Sequence, residues 1–213
     1  MMRIAVSCEG QTEEEFVNRV LQDHFLAKEK HLQPILVRTK RVVGGGDFKG
    51  GDVSIGRARY EVSRLLGNFD HVTTLYDFYG FRGREPNESG EELTGRLANA
   101  VGTARNFTPY IQMHEFEALI YSDPRVIARY LGGPEAARDA EHILRQYGDD
   151  PERIDDGPET APSKRLMEIS AQHLKRPYRK VRDGVRLARD ISLPQLREAC
   201  RRFDGWLKIL EAL

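Results

Sequence analysis

Acidic residues fall at three places where an apolar, strand-like run gives way to a turn or a helix. Glu9 follows the run at 3–7 and precedes Gly10, and Asp77 follows HVTTLY at 71–76. Glu115 and Glu117 follow TPYIQM at 108–113. In an open parallel sheet, the carboxyl ends of the strands line the crevice where ligands bind. Mg²⁺ takes oxygen ligands and is commonly held by one or two carboxylates, with waters and substrate phosphates completing an octahedron. Glu9, Asp77, Glu115 and Glu117 are therefore candidate catalytic groups and candidate ligands for Mg²⁺ or Mn²⁺. Taken singly, Asp77 can cap a turn and Glu115 can be a first-turn helix acid. Their shared position is the argument for a site.

Neighbouring glutamates have a simpler explanation. Thr12 with Glu15 fits a capping box, and Glu13 and Glu14 sit where a helix dipole favours negative charge. Glu9 lies outside that pattern. The glycine-rich stretch GGGDFKGGD at 44–52 lacks the Gly-Lys-Ser/Thr of a phosphate-binding P-loop and reads first as a connection. His114, beside Glu115, is placed for proton transfer or for a structural role at a helix start. One charge block stands out. Between His173 and Arg189 seven Lys or Arg residues precede the balancing Asp190, interrupted by Asp183. Lys164, Arg165, Lys175, Arg176, Arg179, Lys180 and Arg182 are candidate contacts to a nucleic-acid backbone, or the charged face of a solvated helix.

The elements that must position these residues alternate in the first half. Strands are expected at 3–7, 34–43, 71–76 and 108–113, and helices at 13–26, 54–66 and 91–105, with a further helical pattern through HEFEALIY. This order predicts an α/β fold with a mainly parallel four-stranded sheet flanked by helices. Strand signals vanish after Asp123. Helices broken at 132–134, 148–151 and 157–162 follow, ending in an amphipathic helix near 203–213, with 148–162 the best candidate for an exposed loop. The expected organisation is an α/β core over 1–122 and a helical region packed on it over 123–213.

Lys and Arg number 33 and so do Asp and Glu, so only the distribution of charge can argue for a nucleic-acid partner. Cys8 and Cys200 have no pairing spacing, which points to a reducing compartment. MMRIAVSCEG has no long apolar segment, and no stretch approaches the length of a membrane span, so the expectation is a cytoplasmic protein without a membrane partner.

Taken together, VSCEGQTEE at 6–14, YDFYG at 76–80, HEFEAL at 114–119, PSKRL at 162–166, GVRLARDISL at 184–193 and CRRFDGWLKIL at 200–210 resemble the DUF4276 family of bacterial, Toprim-like proteins. The resemblance covers nearly the whole chain. It implies a Toprim core, with a glutamate after the first strand and an acidic pair after the third around Mg²⁺, as in topoisomerases, primases and nucleases of phage defence. Glu9 matches the first position and Asp77 the first member of the pair. Tyr79 stands where the second acid belongs, and a tyrosine is a poor Mg²⁺ ligand at neutral pH. Two functions follow from different classes. One is a Mg²⁺-dependent nuclease or related phosphodiester-processing enzyme acting on DNA or RNA. The other is a non-catalytic module that docks onto a partner ATPase. A small-molecule phosphotransferase lacks a nucleotide motif.

Overall fold

The computed structural model describes residues 1–41, 47–49, 53–102, 104–155, 157 and 159–213. Among them the chain divides into two compact units, Met1–Gln112 and Met113–Leu213, so the HEFE segment goes with the second.

The first unit is built on β1 (Met2–Cys8), whose residues from Ile4 to Cys8 are all buried. A strand buried on both faces reads as a continuous apolar run, as IAVSC does. The helix Gln11–Phe16 continues through a π-helical turn, Val17–Leu21, into Gln22–Leu26, and returns the chain to β2 (Lys30–Leu36). β2 pairs parallel to β1 along its whole length, Met2 opposite Lys30 and Cys8 opposite Leu36. It begins four residues before the expected strand and contains Pro34. As an edge strand it tolerates a residue without an N–H. The stretch expected to finish that strand instead leaves the sheet: β3 (Arg38–Arg41) pairs antiparallel with β4 (Asp47–Lys49) in a separate two-stranded ribbon. Positions 42–43 of the expected strand, and most of the glycine-rich stretch, lie outside the described residues.

Ser54 caps the helix Ile55–Leu65, accepting the N–H of Arg57, and the chain then enters β5 (His71–Asp77). β5 pairs parallel to the other side of β1, with Ile4 opposite His71 and Cys8 opposite Leu75. After a capping box between Ser89 and Glu92, the helix Gly90–Val101 ends at Gly102, whose φ of 96° stops it four residues before the expected end. The expected fourth strand is split into β6 (Phe107–Thr108) and β7 (Ile111–Gln112), both parallel to β5. Pro109 explains the break, because it has no N–H for the ladder. Thr74 bridges the gap: its hydroxyl donates to Tyr110 O and accepts the Tyr110 N–H, both at 2.8 Å. The sheet order is β2-β1-β5-β6, with β7 also on β5, in the mixed α/β architecture expected.

Side chains from the helices Ile55–Leu65 and Gly90–Val101, among them Ala58, Leu93 and Leu97, pack with Tyr76, Phe78 and Ile111 into the main apolar cluster. Beneath it, Ser7 Oγ and the Tyr76 hydroxyl meet at 2.6 Å with both groups buried. That contact ties the carboxyl-terminal end of β1 to that of β5.

Among the described residues the second unit contains no strand. HEFEALIY forms a 3-10 helix, Phe116–Ser122, all of it buried. The helices Pro124–Leu131 and Pro134–Gln146 meet at Gly132 and Gly133, both at positive φ, as the glycines at this break predict. The loop expected at 148–162 is not simply exposed. Pro151, Glu152 and Ile154 are buried because the Glu152 carboxylate accepts the N–H groups of Arg202 (2.8 Å) and Phe203 (3.1 Å) and so caps the helix Arg201–Glu211. Both cysteines are free and buried, and among the described residues no helix is long and apolar enough to cross a membrane.

Removing the Tyr76 hydroxyl strands the Ser7 hydroxyl in the core. Tyr76→Phe is expected to lower unfolding free energy in urea by about 1–3 kcal/mol, and adding Ser7→Ala should recover part of the loss.

Candidate functional site

At the carboxyl edge of the first unit the sheet changes direction. From β1 the chain turns toward β2, and from β5 it turns toward β6 on the opposite side. A crevice opens where two adjacent parallel strands send their connections apart. Glu9 and Asp77 stand at these two strand ends. The Glu9 N–H extends the ladder by one bond, to Leu75 O at 3.2 Å. Its carboxylate turns back across the pair, and Oε2 accepts the Asp77 N–H at 3.0 Å. Glu9 is 9% exposed and Asp77 half-buried.

Two glycines shape the space around Glu9. A Cβ on Gly80 would lie 3.2 Å from Glu9 Oε1, so glycine lets the turn after Asp77 come close to that oxygen. Gly10 has no side chain to cap the helix it starts. Glu13 supplies the cap from the third helical position, its Oε2 accepting the Gly10 N–H at 2.8 Å. This replaces the expected Thr12–Glu15 capping box, because the helix begins two residues earlier than its apolar pattern suggests. Glu15 pairs instead with Arg19 one turn on. Glu13 thus brings a third carboxylate, 5% exposed, to the residue beside Glu9. Gly10 was the available signal, since a glycine N-cap leaves the cap to an acid three residues later.

Within each unit, and among the described residues, no three His, Cys, Asp or Glu side chains are grouped to hold a metal ion on their own. The donor chemistry at the strand ends nevertheless fits Mg²⁺, for which two carboxylates would be the protein share of a site that water and a phosphate would complete.

Glu115 and Glu117 belong to the second unit, where each has a cationic partner. Glu115 Oε1 accepts from Lys180 Nζ at 2.9 Å and its Oε2 accepts the Ser163 N–H, also at 2.9 Å. Glu117 Oε2 lies 3.4 Å from the same Nζ, and the Tyr178 hydroxyl approaches its Oε1 at 3.5 Å. Both carboxylates are almost fully buried, and Lys180 is 39% exposed. Burial, reinforced by Glu117, pushes the Tyr178 hydroxyl well above its ordinary pKa, so it stays a donor. A Cβ on Gly184 would meet the Tyr178 hydroxyl at 2.7 Å, so glycine allows the π-helical turn Lys180–Gly184 to close over this cluster. His114, at φ 58°, enters the segment through left-handed backbone.

The basic residues divide into two sets. Arg165 donates to Thr160 O and the Tyr147 hydroxyl, and Arg176 and Arg182 both hold Asp183. Lys164, Lys175 and Arg179 are exposed and have no ion-pair partner among the described residues. Burial alone would raise the Asp183 carboxyl, but hydrogen bonds from Arg182, Arg176 and the Arg179 N–H hold it down at about 2.

The profile of the family described as "Domain of unknown function (DUF4276)" matches residues 8–211, and the chain belongs to that family. No curated protein matches the chain. The solved structure of the C-terminal region of the Xanthomonas campestris pv. campestris OLD protein, phased with iodine, is similar over 99% of this chain and 98% of that one, at 17% identity and a TM-score of 0.35. A likeness at that level carries no argument about function.

Two outcomes follow from the ion pairs of the second unit. Lys180→Met leaves two buried carboxylates without their cation. It should cost about 2 kcal/mol, less than a fully buried pair because solvent reaches Lys180, and Glu115→Gln with Glu117→Gln should restore most of that loss. Asp183 titrates lower in the folded protein than its ordinary 3.8, so its contribution is complete above that value and is lost as pH falls through about 2. In acid unfolding monitored by circular dichroism, Asp183→Asn should remove this part of the pH dependence.

Proposed function

We propose that this DUF4276 chain holds a divalent cation, Mg²⁺ or Mn²⁺, at the Glu9–Asp77 edge and processes phosphodiester bonds of nucleic acid there. The observation that carries the reading is the meeting of two acids at the ends of adjacent central parallel strands, where the connections diverge. Bound there, the ion would polarise a phosphoryl oxygen and offset charge developing on it. Asp77, less buried than Glu9, is the more accessible of the two acids. Glu9 is held in orientation by the Asp77 N–H through Oε2, with Oε1 on the Gly80 side, and its carboxylate would hold the ion or take a proton from an attacking water.

Glu115 and Glu117, proposed from the sequence as further ligands and catalytic groups, hold Lys180 within their own unit. A ligand role for either requires that ammonium to give way. Within the second unit, Lys164, Lys175 and Arg179 are the candidate contacts to a nucleic-acid backbone, while Arg165, Arg176, Lys180 and Arg182 are occupied by internal partners.

The non-catalytic reading, a module docking onto a partner ATPase, is favoured by a specific observation. Tyr79 stands two residues after Asp77, where the Toprim pattern calls for an acid. The two readings part in one assay. Glu9→Gln and Asp77→Asn, each preserving size while removing charge, should lower Mg²⁺-dependent cleavage of nucleic acid by a factor of at least about 100 with an unchanged circular dichroism spectrum. Variants that cut as well as the parent would reject this edge as the catalytic centre. A parent that cuts nothing with Mg²⁺ or Mn²⁺ would leave the docking reading. Neutralising Lys164, Lys175 and Arg179 together should flatten the salt dependence of binding, by about 1 in log–log slope for each phosphate no longer neutralised.

A further inference from the structure

Tyr79 occupies the place of an expected acid and is an exposed aromatic on the turn that follows Asp77. Its ring is 36% exposed and makes no hydrogen bond among the described residues, whereas Tyr76, one strand position before Asp77, is fully buried. The backbone beneath Tyr79 is well anchored. Phe78 and Phe81 are buried in the main cluster, and the Phe81 N–H closes the turn onto Phe78 O at 3.3 Å. Gly80, the next residue, lies against Glu9 Oε1. Two cations follow on the same stretch. The Arg84 guanidinium sits 4.0 Å over the Phe78 ring. Arg82 is exposed, with its backbone held by a 2.7 Å bond to Val53 O and a bridge to Ser54.

An exposed ring on the anchored turn between Asp77 and Gly80, with Arg82 and Arg84 next along the chain, offers a face for a base close in sequence to the acids of the edge. We propose that Tyr79 is a stacking platform for an unpaired base, and that single-stranded nucleic acid is therefore the substrate class of the Glu9–Asp77 edge. The inference rests on the function proposed above. In a duplex the base faces are already stacked on one another, so an aromatic platform gains little. In a single strand each base presents a π-face, and stacking on an aromatic side chain is sequence-tolerant.

The test is fluorescence anisotropy with the full chain and labelled single-stranded oligonucleotides, in DNA and RNA arms, beside duplexes of equal length. Ca²⁺ replaces Mg²⁺ so that binding is read without turnover. The parent should prefer the single strand. Tyr79→Ala should weaken single-strand binding about tenfold and leave duplex binding unchanged, while Tyr79→Phe, which keeps the ring, should bind as the parent does. Equal single-strand affinity for Tyr79→Ala and parent, a preference for duplex, or no binding by the parent would overturn the platform. Cleavage of the same oligonucleotides in Mg²⁺ separates the two claims. Tyr79-dependent binding without cleavage rejects the catalytic reading alone. Cleavage and binding that survive Tyr79→Ala reject the platform alone.

Discussion

The parallel pairing of β1 with β5 is the constraint on which the first unit depends. Once Cys8 lies opposite Leu75, the residues that leave the two strands, Glu9 and Asp77, are brought to one edge. Because the flanking strands lie on opposite sides, the connections must part there and leave a crevice. The Ser7–Tyr76 contact locks the same register from inside the core, and the Glu9–Asp77 bond locks it from the edge. A slip of one residue would turn Ser7 and Tyr76 to opposite faces and break both.

Two pairs of acids in this chain are stabilised by different physics, and the difference separates their roles. Glu9 is held by a backbone N–H, a dipole that orients a carboxylate without cancelling its charge. Glu115 and Glu117 share an ammonium, which neutralises one charge of the two and fills the space between them. The first arrangement is the one proposed to take a metal ion, and the second already contains an ammonium. Distribution of the basic side chains follows the same logic: Arg176 and Arg182 are drawn to Asp183, while Lys164, Lys175 and Arg179 keep their charge at the surface.

Much of the fold was legible in the sequence because strongly periodic or wholly apolar runs dominate it. The runs at 3–7 and 71–76 read as strands and are strands, and the glycines at 132–133 mark a helix break that the structure contains. Boundaries were less legible where a non-local partner decides them. Pro109 splits a strand that only Thr74 can bridge. Glu152 buries a Gly- and Pro-rich loop by capping a helix fifty residues later. For the site, position along the chain exposed Glu9 and Asp77, because strand ends can be read from the apolar pattern. The Lys180 partnership of Glu115 and Glu117 was not readable, since sixty or more residues separate its members and both acids fit a ligand pattern equally well. Glu13 was assigned to the helix dipole, correctly as a first-turn acid, but its place beside Gly10 required the helix start to be known.

The central claim, that the Glu9–Asp77 edge is the cation site, is tested most directly by crystals of the chain soaked in Mn²⁺ and measured at the manganese absorption edge. The expected result is an anomalous peak bound by the Glu9 and Asp77 carboxylates, directly or through one water, with Lys180 still seated between Glu115 and Glu117. A peak between Glu115 and Glu117 with Lys180 displaced, or no peak near Glu9 and Asp77 at saturating Mn²⁺, would contradict it.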